Sequence, residues 1–191
     1  MDETDAHVDG QVKHEHLDPE REARRRIALA QIRQYPDAAL KMTARPVEQF
    51  DDELRHLAER MKRLMEDAQG IGLAATQVGV LQRLFVFTPS ADEVVAVVNP
   101  ELLEHSEETD VAEEGCLSIQ GVQVPVERSY AVTLAGRNEE GEEVRYELEG
   151  HYARVAQHEA DHLEGILMLD RTTPEARREA LGLLRPRIVL S

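Results

Sequence analysis

Six residues in the C-terminal third, Gln157-His158-Glu159-Ala160-Asp161-His162, carry the strongest chemical pattern in the sequence. They lie in a segment, about 150–164, whose pattern predicts a helix. Positions four apart on a helix lie one turn apart on the same face, so His158 and His162 can bind one metal ion together. A glutamate directly after the first histidine, here Glu159, is typical of a proton carrier in metal-dependent hydrolysis.

The third metal ligand is not evident from this helix alone. Catalytic zinc-type sites use three protein ligands and keep one position open. The residues that follow the motif include the carboxylates of Glu164, Asp170 and Glu175, and no histidine. Upstream, Cys116 lies in the segment Glu114-Gly115-Cys116-Leu117-Ser118. A lone cysteine is more often a small core residue, but these polar and glycine neighbours are unlike a core strand, so a ligand and a core residue are both open readings.

The third notable segment is Gly70-Ile71-Gly72-Leu73-Ala74-Ala75-Thr76-Gln77-Val78-Gly79. Its three glycines permit close approach of a second backbone. Phosphate binding is excluded, since the segment has no Gly-Lys-Ser/Thr ending and no strand leads into it. Gln77 supplies an amide donor where a substrate strand could lie against the chain.

The order of the remaining patterns predicts an α+β fold. The runs 83–87 and 94–98 predict buried strands, and the alternating segments 130–136 and 143–149 predict a hairpin. A helix is predicted after Pro46, with Asp51 or Asp52 as its N-cap and Gly70 as the C′ residue. Asp18-Pro19 can cap a short helix through Arg24-Arg25-Arg26, whose arginines we interpret as an exposed charged face.

In this order, the three segments that contain the candidate site residues closely resemble the signatures of the peptide deformylase family. The family's forms GxGxAAxQ, EGCLS and QHExDH stand here at 70–77, 114–118 and 157–162. The similarity extends over the flanks and spans roughly residues 32–170. The resemblance implies antiparallel sheets packed around a central metal-binding helix. It also implies hydrolysis of the N-formyl group from the initiator N-formylmethionine of nascent polypeptides, with release of formate.

The resemblance assigns a role to each candidate site residue. It implies that Cys116, His158 and His162 bind one divalent metal ion, with Fe²⁺ expected and Zn²⁺, Ni²⁺ or Co²⁺ able to replace it. Glu159 is the implied proton carrier, and the Gln77 amide and Leu117 backbone N–H are the implied oxyanion donors. The expected substrate-binding residues are Gly70, Ile71, Gly72, Glu114, Gly115 and Val155. Glu114 and Asp161 are also candidates for orienting the histidines.

The resemblance and the composition together predict the organisation of the chain. We expect residues 1–25 to be a disordered acidic extension, 26–172 to be the catalytic domain, and 173–191 to be a short helix and tail. The net charge of −16 argues against nucleic-acid binding and against docking on anionic lipid. No apolar run is long enough to span a membrane and no signal-peptide pattern begins the chain, so we expect a cytoplasmic protein. A transient ribosome contact through the C-terminal helix is a further hypothesis.

Three other functions fit parts of the pattern. The short segment 119–125 after Cys116 and Arg154, which with His151 precedes the motif on the metal-facing side of the predicted helix, favour a hydrolase of another formylated or acylated amine. A non-catalytic metal-binding or ribosome-associated protein would not need Glu159. A zinc endoprotease would be expected to have a further ligand after His162, and none is present.

Overall fold

The computed structural model describes residues 7–9, 12–14, 18–91 and 93–184. These residues form helices and antiparallel strands, which confirms the predicted α+β class. The helices are α1 (Pro19–Leu29), α2 (Asp52–Asp67), α3 (Gly150–Leu163), α4 (Met168–Arg171) and α5 (Pro174–Leu184). The strands are β1 (His7–Asp9), β2 (Val12–His14), β3 (Gly72–Ala74), β4 (Leu84–Ser90), β5 (Glu93–His105), β6 (Thr109–Cys116), β7 (Ile119–Ser129), β8 (Ala131–Arg137) and β9 (Glu143–Glu149).

A five-stranded antiparallel sheet in the order β3-β4-β5-β8-β9 separates α2 from α3. Alternate residues of a strand face opposite sides of a sheet. In β4, Leu84 and Val86 accordingly pack in the cluster that contains α2, while Phe85 and Phe87 pack in the cluster that contains α3. Both faces of the sheet are therefore covered, and α3 is enclosed within the protein.

A separate hairpin of β6 and β7 covers the other side of the motif helix. Its register pairs Gly115 with Gln123 and then shifts, so that Cys116 pairs with Ile119 across the turn. Val124 and Val126 of β7 pack with Met168 and Leu169 of α4 in a third apolar cluster. The hairpin thus delivers Cys116 to a buried position facing α3, which completes the predicted arrangement of sheets around the motif helix.

Helix α2 ends one residue earlier than the sequence pattern predicts. Asp51 caps its start by accepting a hydrogen bond from the Leu54 N–H at 3.0 Å, as expected. The left-handed C′ residue is Gln69, with φ of 59°, and not Gly70. The Gln69 N–H donates to Glu66 O and the Gly70 N–H to Met65 O, the pair of bonds typical of a Schellman end. Gly70 is needed for space instead, because a Cβ there would lie 2.7 Å from Leu117 Cδ1.

The predicted disorder over residues 1–25 is wrong for residues 19–25, which belong to α1. Asp18 accepts a hydrogen bond from the Arg21 N–H at 2.9 Å, and Pro19 occupies the first turn, where its missing N–H costs nothing. Ala28 and Leu29 are buried in the cluster that contains α2, so tertiary packing stabilises this short helix. Earlier in the chain, β1 and β2 pair as antiparallel strands.

The C-terminal helix α5 begins at Pro174, as predicted, and extends to Leu184. Pro186, where the sequence predicts the end of this helix because proline cannot continue it, lies outside the described residues. Ala180 of α5 is buried against β7 and α4 in the third cluster. No helix among the described residues is both long enough and apolar enough to cross a membrane.

Candidate metal centre

Three buried ligand atoms converge between α3 and the β6–β7 turn. One turn of α3 separates His158 from His162, and their Nε2 atoms lie 3.1 Å apart. The Sγ atom of Cys116 lies 3.4 Å from Nε2 of His162, and all three potential ligand atoms are within 4.8 Å of one another. The side chains are at most 2% exposed. The helix predicted the histidine pair, and only the fold brings Cys116 to it.

The chemistry of these donor atoms fits a small divalent ion. Nδ1 of His158 faces a carboxylate, which can only accept a hydrogen bond, so Nδ1 carries the proton and Nε2 presents a lone pair. With metal–nitrogen bonds of about 2.1 Å and a metal–sulfur bond of about 2.3 Å, tetrahedral ligand atoms lie roughly 3.4–3.6 Å apart. The separations seen between His162 and its two neighbours are close to this range. A cation among the three atoms would satisfy lone pairs that otherwise face one another.

The surroundings of His158 and His162 shift the pKa values of the two imidazoles in opposite directions. Burial lowers the pKa of His162 well below its ordinary value, and the positive charges of His158 and Arg128 lower it further. Burial also works to lower the pKa of His158, but hydrogen bonds and charges from Cys116 and Glu114 outweigh it and raise this pKa. His162 is therefore neutral, as a ligand must be, whereas a proton and a cation compete for His158.

Glu114, in strand β6, fixes the orientation of the His158 imidazole. Its Oε2 accepts the hydrogen bond from Nδ1 of His158 at 3.0 Å. Arg128 donates to both oxygens of Glu114, at 2.9 and 3.0 Å, and Nη1 of Arg154 donates to Oε1 at 2.9 Å. Burial alone would raise the pKa of Glu114, but the hydrogen bonds from His158 and Arg128 keep it far below its ordinary value. The carboxylate therefore stays ionised and fixes the His158 tautomer.

The Asp161 side chain forms hydrogen bonds with two arginines near the metal ligands. Its carboxylate accepts from Arg128 Nη1 at 2.6 Å and from Arg171, with Nη2 at 2.6 Å and Nε at 3.0 Å. Within the part of the chain that the structure describes, it forms no hydrogen bond with the side chain of either histidine. Asp161 is therefore linked to His158 through Arg128, which donates to both Asp161 and Glu114, and not by a direct hydrogen bond.

Arg154 is a structural residue of this network. The sequence placed it on the metal-facing side of α3, where a free charge would have altered the substrate pocket. Its guanidinium is buried and donates to Glu114, to Val126 O at 2.8 Å and to Asp110 O at 2.8 Å. Sequence reasoning assigned no role to Arg128 and misread Arg154, because no spacing pattern signals that two arginines will meet one buried carboxylate.

The Glu159 side chain lies against the glycine-rich segment. A Cβ added to Gly72 would lie 2.7 Å from Cδ of Glu159, so only glycine at this position allows the carboxylate to approach the backbone. Glu159 is fully buried. Glu159, the predicted proton carrier, therefore lies directly against Gly72 of the glycine-rich segment.

Gln77 connects the glycine-rich segment to the segment around Cys116. Its Oε1 accepts from the Ala74 N–H at 2.9 Å, which leaves the amide nitrogen to face the site. Nε2 lies 3.0 Å from Ser118 Oγ and 3.6 Å from Cys116 Sγ. The carbonyl of Leu117 accepts from Gln34 Nε2 at 3.0 Å. Both predicted oxyanion donors thus lie beside the metal-ligand cluster.

The remaining predicted substrate residues are distributed around the same centre. Ile71 and Val155 are buried in one apolar cluster on the α3 side of the main sheet. Gly115 immediately precedes Cys116 in β6, and Gly70 contacts Leu117 as described. A cavity of about 450 Å³ opens beside Cys116 and Leu117. A larger concavity of about 880 Å³ lies on the other side of α3, beside Gln157 and Asp161, and none of the three ligand residues lines it.

Comparison with known proteins gives a consistent result. Residues 29–178 match the model of the polypeptide deformylase family. A peptide deformylase of Thermotoga sp. (strain RQ2) is 49% identical over 149 residues, which are 78% of this chain and 90% of that protein. The crystal structure of peptide deformylase from Thermotoga maritima has a TM-score of 0.72 at 49% identity and covers 75% of this chain and 97% of its own. A peptide deformylase from Legionella pneumophila has a TM-score of 0.75 at 38% identity, with coverages of 79% and 90%.

Proposed function

The chain belongs to the peptide deformylase family, and from that premise we propose how its own residues perform the family's reaction. It is a metal-dependent hydrolase that removes the formyl group from N-formylmethionyl peptides. The proposed assignment rests chiefly on one observation: Cys116, His158 and His162 bring their ligand atoms within 4.8 Å of one another beside the carboxylate of Glu159. We propose residues 26–172 as the catalytic domain and 173–191 as an appended helix and tail.

We propose Cys116, His158 and His162 as the ligands of one divalent ion. A thiolate with two imidazoles suits several first-row metals, and we propose Fe²⁺ as the resident ion, with Zn²⁺, Ni²⁺ or Co²⁺ able to replace it. When bound, such an ion is a Lewis acid that polarises the formyl carbonyl and makes water acidic enough to attack near neutral pH.

Glu159 is the proposed proton carrier. Its buried carboxylate lies next to His158 in sequence and against Gly72 in space. In this position it accepts a proton from the attacking water and donates it to the leaving amine when the C–N bond breaks. The products are formate and a peptide with a free α-amino group.

The proposed oxyanion donors are the side-chain amide of Gln77 and the backbone N–H of Leu117. Addition of water converts the formyl oxygen to an oxyanion, which fixed donors stabilise more strongly than they stabilise the neutral carbonyl. The Ala74 N–H holds Oε1 of Gln77, so the NH₂ group is oriented before substrate arrives.

The substrate is proposed to lie as an extended strand between the backbone of 70–72 and the residues around Cys116. Ile71 and Val155, which share one apolar cluster, would contact the methionine side chain. Glu114 and Gly115 would lie on the opposite side of the substrate strand. A transient ribosome contact through α5 is also proposed, and the acidic chain is not expected to bind nucleic acid directly.

Two of the alternative functions, the hydrolase of another acyl substrate and the zinc endoprotease, each lose one supporting argument. The guanidinium of Arg154 is bound to Glu114 and to two backbone carbonyls, so it is not available to select another acyl substrate. Cys116 provides a third ligand upstream of the helix, which removes the need for the downstream ligand expected in an endoprotease.

The proposed roles are tested by measuring formate release from formyl-Met-Ala-Ser. The protein is prepared anaerobically and loaded with iron, because a thiolate ligand is easily oxidised. We expect fast release by the parent protein and a loss of about 10²–10⁴-fold in the Glu159→Ala variant, which should keep one equivalent of metal. Release that is unchanged in Glu159→Ala, or that persists in metal-free protein, would overturn the assignment.

A further inference from the structure

The cavity beside Cys116 has one wall made by the N-terminal helix α1. The segment 115–123 forms most of its lining, and α1 contributes Arg25 and Leu29. At about 450 Å³ the cavity is large enough for several atoms of a peptide substrate. Gly121 lies on its open side, since a Cβ there would meet no atom within 4 Å. The cavity therefore continues from Cys116 and Leu117 toward α1.

Among the described residues that line the cavity, Arg25 is the only lysine, arginine, aspartate or glutamate. The segment 115–123 contains no charged residue, and Leu29 is apolar. The Arg25 side chain is partly buried, and it makes no hydrogen bond or ion pair within residues 18–91 and 93–184. By contrast, Arg24 on the same helix lies 3.9 Å from Glu20, and Arg21 donates to Gln69 at 3.3 Å. A partly buried guanidinium without a partner, next to open space, can bind an anionic group that enters it.

The charge around Arg25 favours an anion despite the acidity of the whole chain. Helix α1 carries four arginines and two glutamates, whereas the chain as a whole has a net charge of −16. Nearby charges outweigh distant ones, because ionic screening acts over about 8–10 Å. A carboxylate beside Arg25 would thus lie next to a helix with two more arginines than glutamates.

We propose that Arg25 is a specificity-determining residue, which binds a carboxylate in the formyl peptide downstream of its methionine. The inference rests on the proposed function, because the substrate strand must run past Cys116 and Leu117 for its later residues to reach α1. The flexible arm of arginine and its planar fork suit a carboxylate better than a neutral amide. An aspartate or glutamate side chain or a free peptide C-terminus could supply this group.

The experiment compares formyl peptides that differ only in one charge. Amidated formyl-Met-Ala-Ala-Ala is made with glutamate or its neutral isostere glutamine at the second, third or fourth residue in turn. Comparison of formyl-Met-Ala-Ala as the free acid and as the amide tests the terminal carboxylate separately. For the parent protein we expect kcat/KM to be about fivefold higher for glutamate than for glutamine at one position, mainly through KM. High ionic strength should reduce this ratio.

Variants of adjacent arginines separate a binding role from a structural one. Arg25→Gln should bring the glutamate-to-glutamine ratio to about one, and Arg25→Lys should restore part of it because the charge is kept. Arg26→Gln is the matched control, since this neighbour is exposed and does not line the cavity; its ratio should equal that of the parent. Circular dichroism and thermal unfolding establish that each variant is folded.

The outcomes separate this inference from the proposed function. Formate release from the all-neutral peptide by the parent protein tests the function, and the ratio in Arg25→Gln tests the inference. A parent protein that deformylates all peptides without regard to charge would overturn the role of Arg25 and leave the function intact. The same conclusion follows if a preference exists and Arg25→Gln retains it.

Discussion

Glu114 accepts a hydrogen bond from Nδ1 of His158 at 3.0 Å, although 44 positions separate the two residues in the chain. The carboxylate comes from β6 and the imidazole from α3. Because Arg128 and Arg154 also donate to Glu114, its position is defined from three directions. Nε2 of His158 is consequently directed at His162 and Cys116.

This relationship predicts that Glu114 controls metal affinity. In Glu114→Gln the amide can still contact His158, but it no longer fixes the tautomer or balances the two arginines. We expect metal affinity to fall by about 10- to 100-fold, measured by competition with a chromogenic chelator. The exposed neighbour Glu113 supplies the control, since Glu113→Gln should bind metal like the parent. Equal affinities in both variants would contradict the positioning role of Glu114.

The contact between Gly72 and Glu159 predicts a selective loss of turnover in Gly72→Ala. The added methyl group would lie 2.7 Å from Cδ of Glu159, so the carboxylate must move. A displacement of that size in a catalytic group costs about 10²-fold in rate, whereas metal content should stay at one equivalent. Gly182→Ala is the control, because a Cβ there meets no atom within 4 Å. Full activity in Gly72→Ala would show that the position of Glu159 is not critical.

Gln77→Ala is predicted to lower both turnover and stability. Loss of one oxyanion donor should reduce kcat by about 10²–10³-fold. The buried Ala74 N–H would also lose its acceptor, which should cost about 1–3 kcal/mol in the free energy of unfolding. Formate-release kinetics and urea unfolding measure the two effects, with Gln82→Ala, at an exposed position, as the reference. A variant that loses stability and keeps its kcat would restrict Gln77 to a structural role.

A pH-dependent contribution to stability is expected far from the metal centre. Lys62 of α2 donates to Glu139 near the β8–β9 turn and to Glu59 at 3.1 Å. Burial opposes the charge on Lys62, but the hydrogen bonds to Glu139 and Glu59 outweigh it and raise its pKa. A raised pKa stabilises the fold below the unfolded value of 10.5, and this stabilisation disappears as the pH rises through the folded value.

The corresponding measurement is the free energy of unfolding of Lys62→Met against pH. We expect the variant to be less stable than the parent by about 1 kcal/mol near neutral pH, with the difference shrinking above about pH 10.5. Arg60→Met, at an exposed position of the same helix, should show no such dependence. A difference that grows with increasing pH would contradict the sign of the pKa shift.

Elements with a strong apolar period were predictable from the sequence, and elements without one were not. The helix after Pro46, the motif helix and the hairpin of β8 and β9 were all confirmed, because their patterns are local. The hairpin of β6 and β7 was not predicted, since acidic residues and one glycine interrupt any alternation in β6. The C′ position of α2 was predicted one residue too late, because Gly70 is required by the nearby Leu117 and not by its own backbone angles.

The sequence by itself determined the α+β class, the pair of histidines on one helix and the family to which the chain belongs. These follow from periodicity and from short ordered motifs, which need no knowledge of distant contacts. Only the tertiary structure decided that Cys116 meets the histidines, that Arg128 and Arg154 bind Glu114, and that Arg25 faces the cavity beside the site. Such contacts join residues far apart in the chain, and their formation depends on how α1, α3 and the β6–β7 hairpin pack together.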